Sequence, residues 1–97
     1  MIISFRDKGT EDVFDGRDTR KARQACPSDL VRVARRKLDQ LNQAAVLSDL
    51  RSPPSNHPEK LKGGRDGQHS IRVNDQWRVC FVWTESGAED VEIVDYH

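Results

Sequence analysis

The amino-acid sequence predicts an α+β fold, in which an N-terminal strand and helices pack on a small antiparallel sheet. Before the middle of the chain, apolar residues recur at spacings of three and four positions, as on one helix face: Leu30, Ala34, Leu38, Leu41 and Ala45. In the last third, apolar and polar residues alternate in three segments separated by turn residues, which is typical of antiparallel strands. A chain of 97 residues is expected to form a single domain, residues 1–97.

The first part of the chain predicts a short strand followed by one helix. Residues 2–5 carry Ile, Ile and Phe, which favour a strand. Thr10 is the predicted N-cap of the helix and Gly16 its predicted end, because serine-like oxygens and glycine suit these two positions. Residues 17–26 are polar, and they predict a loop or a frayed helix start.

The strongest helix pattern begins at Ser28, which suits an N-cap and is followed by an acidic residue in the first turn. This helix, or a helix with a short successor, is predicted to run to about Leu50. Pro53 and Pro54 end it, because proline disfavours helical backbone at the residue before it.

Residues 52–67 predict a long loop with several lysines and glycines. Gly63, Gly64 and Gly67 permit backbone conformations closed to other residues, and Leu61 is the one obvious apolar anchor. Long loops inside compact domains are more often functional than not, so this loop is a candidate part of a site.

The first hairpin of the predicted sheet can be registered by parity. A three-residue turn pairs Arg72 with Arg78, and it places one apolar row on a single face: Ile71, Val73, Trp77, Val79, Phe81 and Trp83. Arg72 and Arg78 then lie on the opposite face, beside Ser70. Like charges directly across a ladder are destabilising, so the pair indicates either a shared anion or ion pairs with Glu92 or Asp95, unless both arginines splay into solvent.

The charges balance in total but are segregated along the chain. Lys+Arg and Asp+Glu are both 16, so the formal net charge is zero, which argues against a general nucleic-acid coat protein. Residues 17–37 and 59–78 are nevertheless rich in Lys and Arg, whereas residues 84–97 carry only acidic charges. The basic segments are either an ordinary solvated surface or a side that faces phosphates.

The histidines and cysteines do not have the spacing of a metal site, so no metal and no cofactor is expected. Cys26 and Cys80 are predicted to be free thiols, with Cys80 packed in a strand. His69 shares the parity of the apolar row and is predicted to be a packed histidine, while His57 lies in the loop and His97 is the last residue.

Membrane association is not expected. No apolar segment approaches the roughly 20 residues of a membrane span, and the first residues lack the pattern of a signal peptide. The sequence therefore predicts a cytoplasmic protein.

Several segments together resemble the HigB branch of the RelE-like bacterial toxins. They are the start Met-Ile-x-Ser-Phe, the loop Leu-Lys-Gly-Gly-Arg-Asp-Gly at 61–67, Ser-Ile-Arg-Val-Asn-Asp-Gln-Trp-Arg at 70–78, and Glu-Ile-Val-Asp-Tyr-His at 92–97. Leu-Arg-Ser-Pro-Pro at 50–54 also resembles the growth-regulating subgroup called GraT. The resemblance spans essentially the whole chain, and the ordered combination is specific.

The resemblance implies a RelE-like fold and the function of a toxin of a type II toxin–antitoxin system. Such a toxin is a ribosome-dependent mRNA endonuclease, which enters the ribosomal A site and cuts mRNA without a metal ion. The implied partners are the ribosome with its mRNA and a HigA-like helix-turn-helix antitoxin. Operator DNA is implied as a partner only through the antitoxin.

Residue by residue, the resemblance places the main catalytic groups at Lys62, Arg78 and His97. Arginine and lysine suit the stabilisation of phosphoryl oxygens, and histidine suits proton transfer near neutral pH. Tyr96 is a candidate for stacking or hydrogen bonding to the substrate. Phosphate contacts are expected from Arg72, Lys60 and Arg65.

One proton-transfer group stays open at this point. Some relatives carry a histidine three residues before the loop lysine, and here that position is Glu59. Glu59 can act as the general base, or His57 can swing in, or His97 can act without a loop partner. Two other classes of function also remain: a non-catalytic RNA- or ribosome-binding module, and a protein-interaction module whose basic helix docks an acidic partner. The terminal Tyr96 and His97 favour the enzyme, because a pure binder needs no titratable group beside Arg78.

Overall fold

Three helices precede a four-stranded antiparallel sheet in the computed structural model, which describes residues 1–96; His97 lies outside the described residues. The helices are α1 (Lys8–Asp15), α2 (Arg20–Ala25) and α3 (Val31–Gln43). The strands are β1 (Glu59–Lys60), β2 (His69–Arg72), β3 (Trp77–Thr84) and β4 (Gly87–Asp95), in the sheet order β1-β2-β3-β4. The predicted α+β class is confirmed.

The N-terminal segment forms less of a strand than the sequence predicts. It lies parallel to β4 through two isolated bridges, Ile2 with Ala88 and Phe5 with Val91. A side chain at Gly87 would clash with the carbonyl oxygen of Met1, so glycine permits this close approach. The segment is therefore pinned to β4 without forming a continuous fifth strand.

The N-cap of α1 is Asp7 and not the predicted Thr10. Asp7 Oδ1 accepts a hydrogen bond from the backbone N–H of Thr10 at 2.6 Å, because the helix begins three residues earlier than predicted. The hydroxyl of Thr10 is turned inward, where it accepts a hydrogen bond from the backbone N–H of Ile93 at 3.1 Å. Gly16 ends the helix as predicted, with φ at 77°.

Residues 20–25, predicted as a loop or a frayed helix start, form α2. Thr19 caps this helix by accepting a hydrogen bond from the N–H of Ala22 at 3.0 Å, and its hydroxyl donates to Asp12 Oδ2 at 2.7 Å. A side chain at Gly9 would clash with the carbonyl oxygen of Lys21. The close approach of α1 and α2 therefore stabilises a helix that a polar sequence does not indicate by itself.

The third helix is shorter than the predicted span to Leu50. Ser28–Leu30 forms a 3₁₀ turn before α3, and Leu47–Arg51 forms a separate 3₁₀ successor, the second of the two predicted forms. Because α3 ends at Gln43, Ala44 is buried in place of the expected Ala45. Lys37 is also buried on this helix, where Nζ donates to Asn56 Oδ1 at 2.6 Å.

The sheet register agrees with the parity prediction, in which Arg72 lies opposite Arg78 and Ile71 opposite Val79. The inner face of the sheet packs against the helices and forms the core with the N-terminal segment. One correction concerns the predicted loop at 52–67, because Glu59 and Lys60 pair with β2 as the edge strand β1. Leu61 is a buried anchor, as predicted.

Both cysteines are buried free thiols, as predicted. Burial raises the pKa of Cys26 and that of Cys80 to about 11, because the thiolate would lose its hydration. Within residues 1–96, no helix is both long enough and apolar enough to cross a membrane.

Candidate functional site

The outer face of the sheet is polar, and Arg78 on β3 is its most buried charged side chain. The guanidinium donates from Nη1 to Ser70 Oγ at 3.3 Å, and the same nitrogen lies 3.4 Å from Glu59 Oε1. The guanidinium carbon lies 5.0 Å from the centroid of the Tyr96 ring, which is a cation–π contact. Three neighbouring elements of the fold therefore fix the orientation of this arginine.

Arg78 keeps one buried donor unused. Its Nε has no hydrogen-bond partner among the described residues, and the same holds for Nε of Arg72 across the ladder. Arg72 Nη1 lies 3.7 Å from Asp75 Oδ1, on a carboxylate that is fully exposed. A buried donor without an acceptor costs free energy. An anion on this face would be attracted by both guanidinium groups.

Glu92 pairs with Arg65 and Arg6, and not with Arg72 or Arg78 as the sequence analysis considered. Its Oε1 accepts a hydrogen bond from Arg65 Nη1 at 2.7 Å, and its Oε2 lies 3.8 Å from Arg6 Nε. It pairs with these two arginines, and the ion-pair partners of Arg72 and Arg78 are Asp75 and Glu59. The hydrogen bond from Arg65 to Glu92 raises the pKa of the guanidinium. Arg65, predicted to contact phosphate, is thus already neutralised in this structure.

The two residues of β1 point to opposite faces of the sheet. Glu59 lies opposite Ser70 and shares the outer face with Arg78. Lys60 lies opposite His69 on the inner side, so the structure does not bring it together with Arg78. Lys62 follows β1 at the start of the loop, exposed and without an ion pair among the described residues.

The remaining predicted residues lie at the ends of the site. The backbone N–H of Tyr96 donates to the carbonyl oxygen of Gln76 at 2.7 Å, which holds the tyrosine beside Arg78. His57 is exposed in a left-handed turn with φ at 40°, before β1. The predicted catalytic residue His97 lies outside the described residues.

The arrangement suits chemistry on a phosphate. Two arginines on adjacent strands present cationic donors, a carboxylate lies against one of them, and an aromatic ring borders the same arginine. No cluster of three or more His, Cys, Asp or Glu side chains with the geometry of a metal site occurs in residues 1–96.

Comparison with known proteins assigns the chain to a class, the RelE-like toxins of type II toxin–antitoxin systems. A family model described as "RelE-like toxin of type II toxin-antitoxin system HigB" matches residues 3–97. The chain belongs to this HigB-like toxin family, and an antitoxin is therefore its partner. The predicted HigB-type resemblance is confirmed at the level of the family.

Individual relatives agree with this assignment. The chain is 39% identical over 88 residues to "Toxin HigB-1" of Vibrio cholerae, covering 91% of this chain and 90% of the relative. It is 32% identical over 98 residues to "Endoribonuclease HigB" of Proteus vulgaris, covering 100% of both. A chain of the YoeB–YefM complex from Staphylococcus aureus has the same fold, with a TM-score of 0.60 and 16% identity over 100% of this chain and 98% of that chain.

Proposed function

We propose that this toxin is an endoribonuclease that cuts mRNA in the A site of the ribosome without a metal ion. The observation that carries the proposal is the buried Arg78 guanidinium, whose Nε lacks a partner among residues 1–96 and which lies between Glu59 and Tyr96. The similarity to a relative named as an endoribonuclease supports the same activity. The arrangement is suited to stabilising negative charge that grows on a phosphoryl group.

Metal-free cleavage of RNA requires three tasks from the protein. The ribose 2′-OH loses a proton and attacks the adjacent phosphorus, the phosphoryl oxygens gain charge, and the 5′-oxygen receives a proton. Arg78 and Arg72 take the second task, and Lys62 assists from the loop because its ammonium is unpaired within the described residues.

The proton transfers fall to carboxylate and imidazole groups. Glu59 is the general base that the geometry favours, because its carboxylate lies 3.4 Å from the arginine that would hold the phosphate. His97 donates the proton to the leaving group in this proposal. His57 is the weaker candidate, since it is exposed and two residues away from β1.

The ribosome supplies much of the substrate orientation in this proposal. Tyr96 is the aromatic side chain in contact with Arg78, and a single ring is less than the stacking platform that holds single-stranded RNA unaided. The net charge of zero leaves only local basic segments for phosphate contacts, which bind weakly and depend on salt. We therefore expect the toxin to act in the cytoplasm, on mRNA that the ribosome holds in place.

The antitoxin is proposed to be a HigA-like helix-turn-helix protein that carries the contacts to operator DNA. The basic run at 17–37 includes α2 and most of α3, and its exposed side chains suit acidic groups of a partner. Strong sequence-specific binding of operator DNA by the isolated toxin would contradict this assignment.

The function is tested by inducing the toxin in cells and mapping mRNA ends by primer extension. We expect growth arrest and new 5′ ends inside translated frames, and relief of both when the neighbouring open reading frame is co-expressed. A short-oligonucleotide assay with added EDTA tests metal independence without dismantling ribosomes. Arrest without new mRNA ends would favour a binding module that blocks the ribosome. No arrest at all would favour a protein-interaction module.

A further inference from the structure

A groove under the edge strand β1 lies on the side of the sheet away from Arg78. Its cavity volume is about 360 Å³, and its walls are the inner side of β1 and β2 and the 3₁₀ segment Leu47–Arg51. Its charged and aromatic lining residues are Arg51, Glu59, Lys60, His69 and Phe81. The volume lies at the lower end of the range of small-ligand sites, of the order that one nucleotide would occupy.

The floor of the groove is an aromatic pair. The ring of His69 stacks on that of Phe81, with centroids 6.1 Å apart and planes inclined by 22°. Phe81 is buried and His69 is half-buried, and both line the groove. Burial, helped by the charge of Lys60, lowers the pKa of His69, which favours the neutral ring. A neutral ring backed by a second ring is a stacking surface for a nucleobase.

The rim of the groove carries two cationic side chains. Arg51 and Lys60 are exposed, and neither forms an ion pair among residues 1–96. Arg65 differs, because Glu92 neutralises it. Two free cations beside a stacking surface match a phosphate beside a base. An acidic peptide would use the cations but would leave the aromatic floor without a role.

The groove is continuous with the candidate catalytic face. Glu59 and Lys60 are consecutive residues of an edge strand, and both line the groove, while the carboxylate of Glu59 also contacts Arg78. The two sites therefore meet at this two-residue strand. An RNA chain that passes over the edge of β1 would therefore reach both.

We propose that this groove binds one nucleotide of the mRNA next to the cleaved phosphate, with the base on His69 and the phosphate on Lys60 and Arg51. The proposal rests on the proposed endoribonuclease function. It gives Lys60 a role away from the reacting phosphate, and it assigns Arg51 and His69 as substrate-binding residues.

The test is single-turnover cleavage of mRNA on ribosomes, measured as a function of toxin concentration. We expect the double variant Arg51→Ala/Lys60→Ala to raise the half-saturating concentration about tenfold, with the maximal rate nearly unchanged. Its dependence on salt should also be shallower, by a slope of about 1.4 for two lost contacts to single-stranded RNA. Lys8→Ala is the control for loss of a surface cation, because Lys8 lies on α1, which contacts β4 at the opposite edge of the sheet. Lys8 also pairs with the buried Asp12, so the melting temperature of this variant is measured as well.

The stacking contact is tested with two substitutions and a modified mRNA. His69→Leu should raise the half-saturating concentration about tenfold, whereas His69→Phe should retain binding, and melting temperatures check that both variants fold. An mRNA that lacks the base next to the cut should bind the wild type as weakly as His69→Leu does. The His69→Leu variant should bind this abasic mRNA as tightly as intact mRNA, because the contact between base and ring is already lost in the variant.

Each negative result has a distinct meaning. Half-saturating concentrations equal to that of Lys8→Ala for all groove variants, with a wild type that cuts, would overturn the groove and leave the enzyme intact. If the groove variants lose antitoxin binding but keep their affinity for mRNA, the groove is a binding site for the antitoxin. If the abasic mRNA and His69→Leu raise the half-saturating concentration independently of each other, His69 contacts ribosomal RNA or another group and not this base. A wild type that does not cut would overturn both proposals.

Discussion

Arg78 is oriented before any substrate binds, which is unusual for a long cationic side chain. Only 8% of the residue is exposed, and Ser70, Glu59 and Tyr96 contact its guanidinium from three directions. A long side chain normally loses rotamer entropy when it binds a ligand. Folding has already fixed the side chain of Arg78, so ligand binding costs less entropy here. The guanidinium is thus already oriented when charge develops on a phosphate.

Replacing Arg78 should abolish most of the activity without abolishing the fold. We expect Arg78→Ala to lower the cleavage rate by about 10²–10³-fold, the typical loss for a positioned charge donor. Arg78→Lys should recover only part of the rate, because lysine lacks the planar fork. The single-turnover rate on ribosome-bound mRNA measures both, and retained antitoxin binding serves as the control for folding. A fully active Arg78→Ala would refute the site.

Deleting His97 should remove toxicity while leaving the rest of the chain intact. The expected loss is about 10²–10⁴ in rate, because a general acid or base is removed. The deletion spares residues 1–96, which contain every described helix and strand, so the melting temperature should stay near that of the wild type. Growth after induction and antitoxin pull-down are the two readouts. Undiminished toxicity would transfer the role of proton donor to Tyr96 or His57.

The site residues that the sequence could place are those that depend on strand parity. Alternation alone predicts that Arg72, Arg78 and Ser70 share one face, and the ladder confirms this. The contact of Glu59 with Arg78 was not foreseeable, because it needs a two-residue strand inside a predicted loop. The same holds for the contact of Arg65 with Glu92, which joins residues 27 positions apart.

At the scale of elements, a buried lysine joins α3 to the segment that leads into β1. Lys37 Nζ donates to Asn56 Oδ1 at 2.6 Å, and Asn56 Nδ2 donates to the carbonyl oxygens of Leu50 and Ser52 at 3.1 and 3.4 Å. Burial lowers the pKa of Lys37, which shows that its charge is held at a cost. The network fixes the path of the chain just before Glu59.

Asn56→Ala should therefore destabilise the protein strongly. The expected loss is about 3 kcal/mol of unfolding free energy, because the substitution leaves the buried ammonium of Lys37 without its main acceptor. Lys37→Met should cost less, since it removes the charge as well as the hydrogen bond. Urea denaturation of the two single variants and the double variant measures the coupling. Additive effects would contradict the network.

The helices show where sequence patterns succeed and where they do not. Apolar spacing predicts the buried face of α3, and Lys37 lies on that face by the same spacing. Its position in the helix therefore indicates burial, although its polarity does not. The helix α2 carried no such signal. Its stability comes from the close packing on Gly9 and from the link between Thr19 and Asp12, which a reading of local propensity does not contain.

At the scale of the whole molecule, the two buried thiols should make the fold sensitive to alkaline pH. The pKa of Cys80 is raised from 9.0 to about 11, so above pH 9 the unfolded chain loses this proton more readily than the folded one. Stability is therefore fully present below pH 9 and decreases as the pH rises toward 11. The same sign holds for Cys26, whose pKa is also raised to about 11.

Comparison with cysteine-free variants isolates this effect. Between about pH 8 and about pH 10.5, each thiol should reduce the unfolding free energy by about 2 kcal/mol. Cys26→Ala and Cys80→Ala should each flatten the decline, although both lower stability at neutral pH by leaving cavities. Urea denaturation at the two pH values gives the slopes, and the contribution of Lys37 cancels because all variants share it. Identical slopes would show that the thiols are not buried in solution.

The molecule as a whole has no net charge, and its function therefore depends on where the charges lie. The outer sheet face gathers the arginines that the proposed reaction needs, while the ribosome is proposed to hold the RNA. The most direct test compares cleavage rates of one mRNA, free and bound to ribosomes, for the wild type and Arg78→Ala. We expect rapid cleavage only for the wild type on ribosomes, with a loss of about 10²–10³-fold for Arg78→Ala. Equally fast and specific cleavage of the free mRNA, or an Arg78→Ala rate equal to the wild type, would contradict the account.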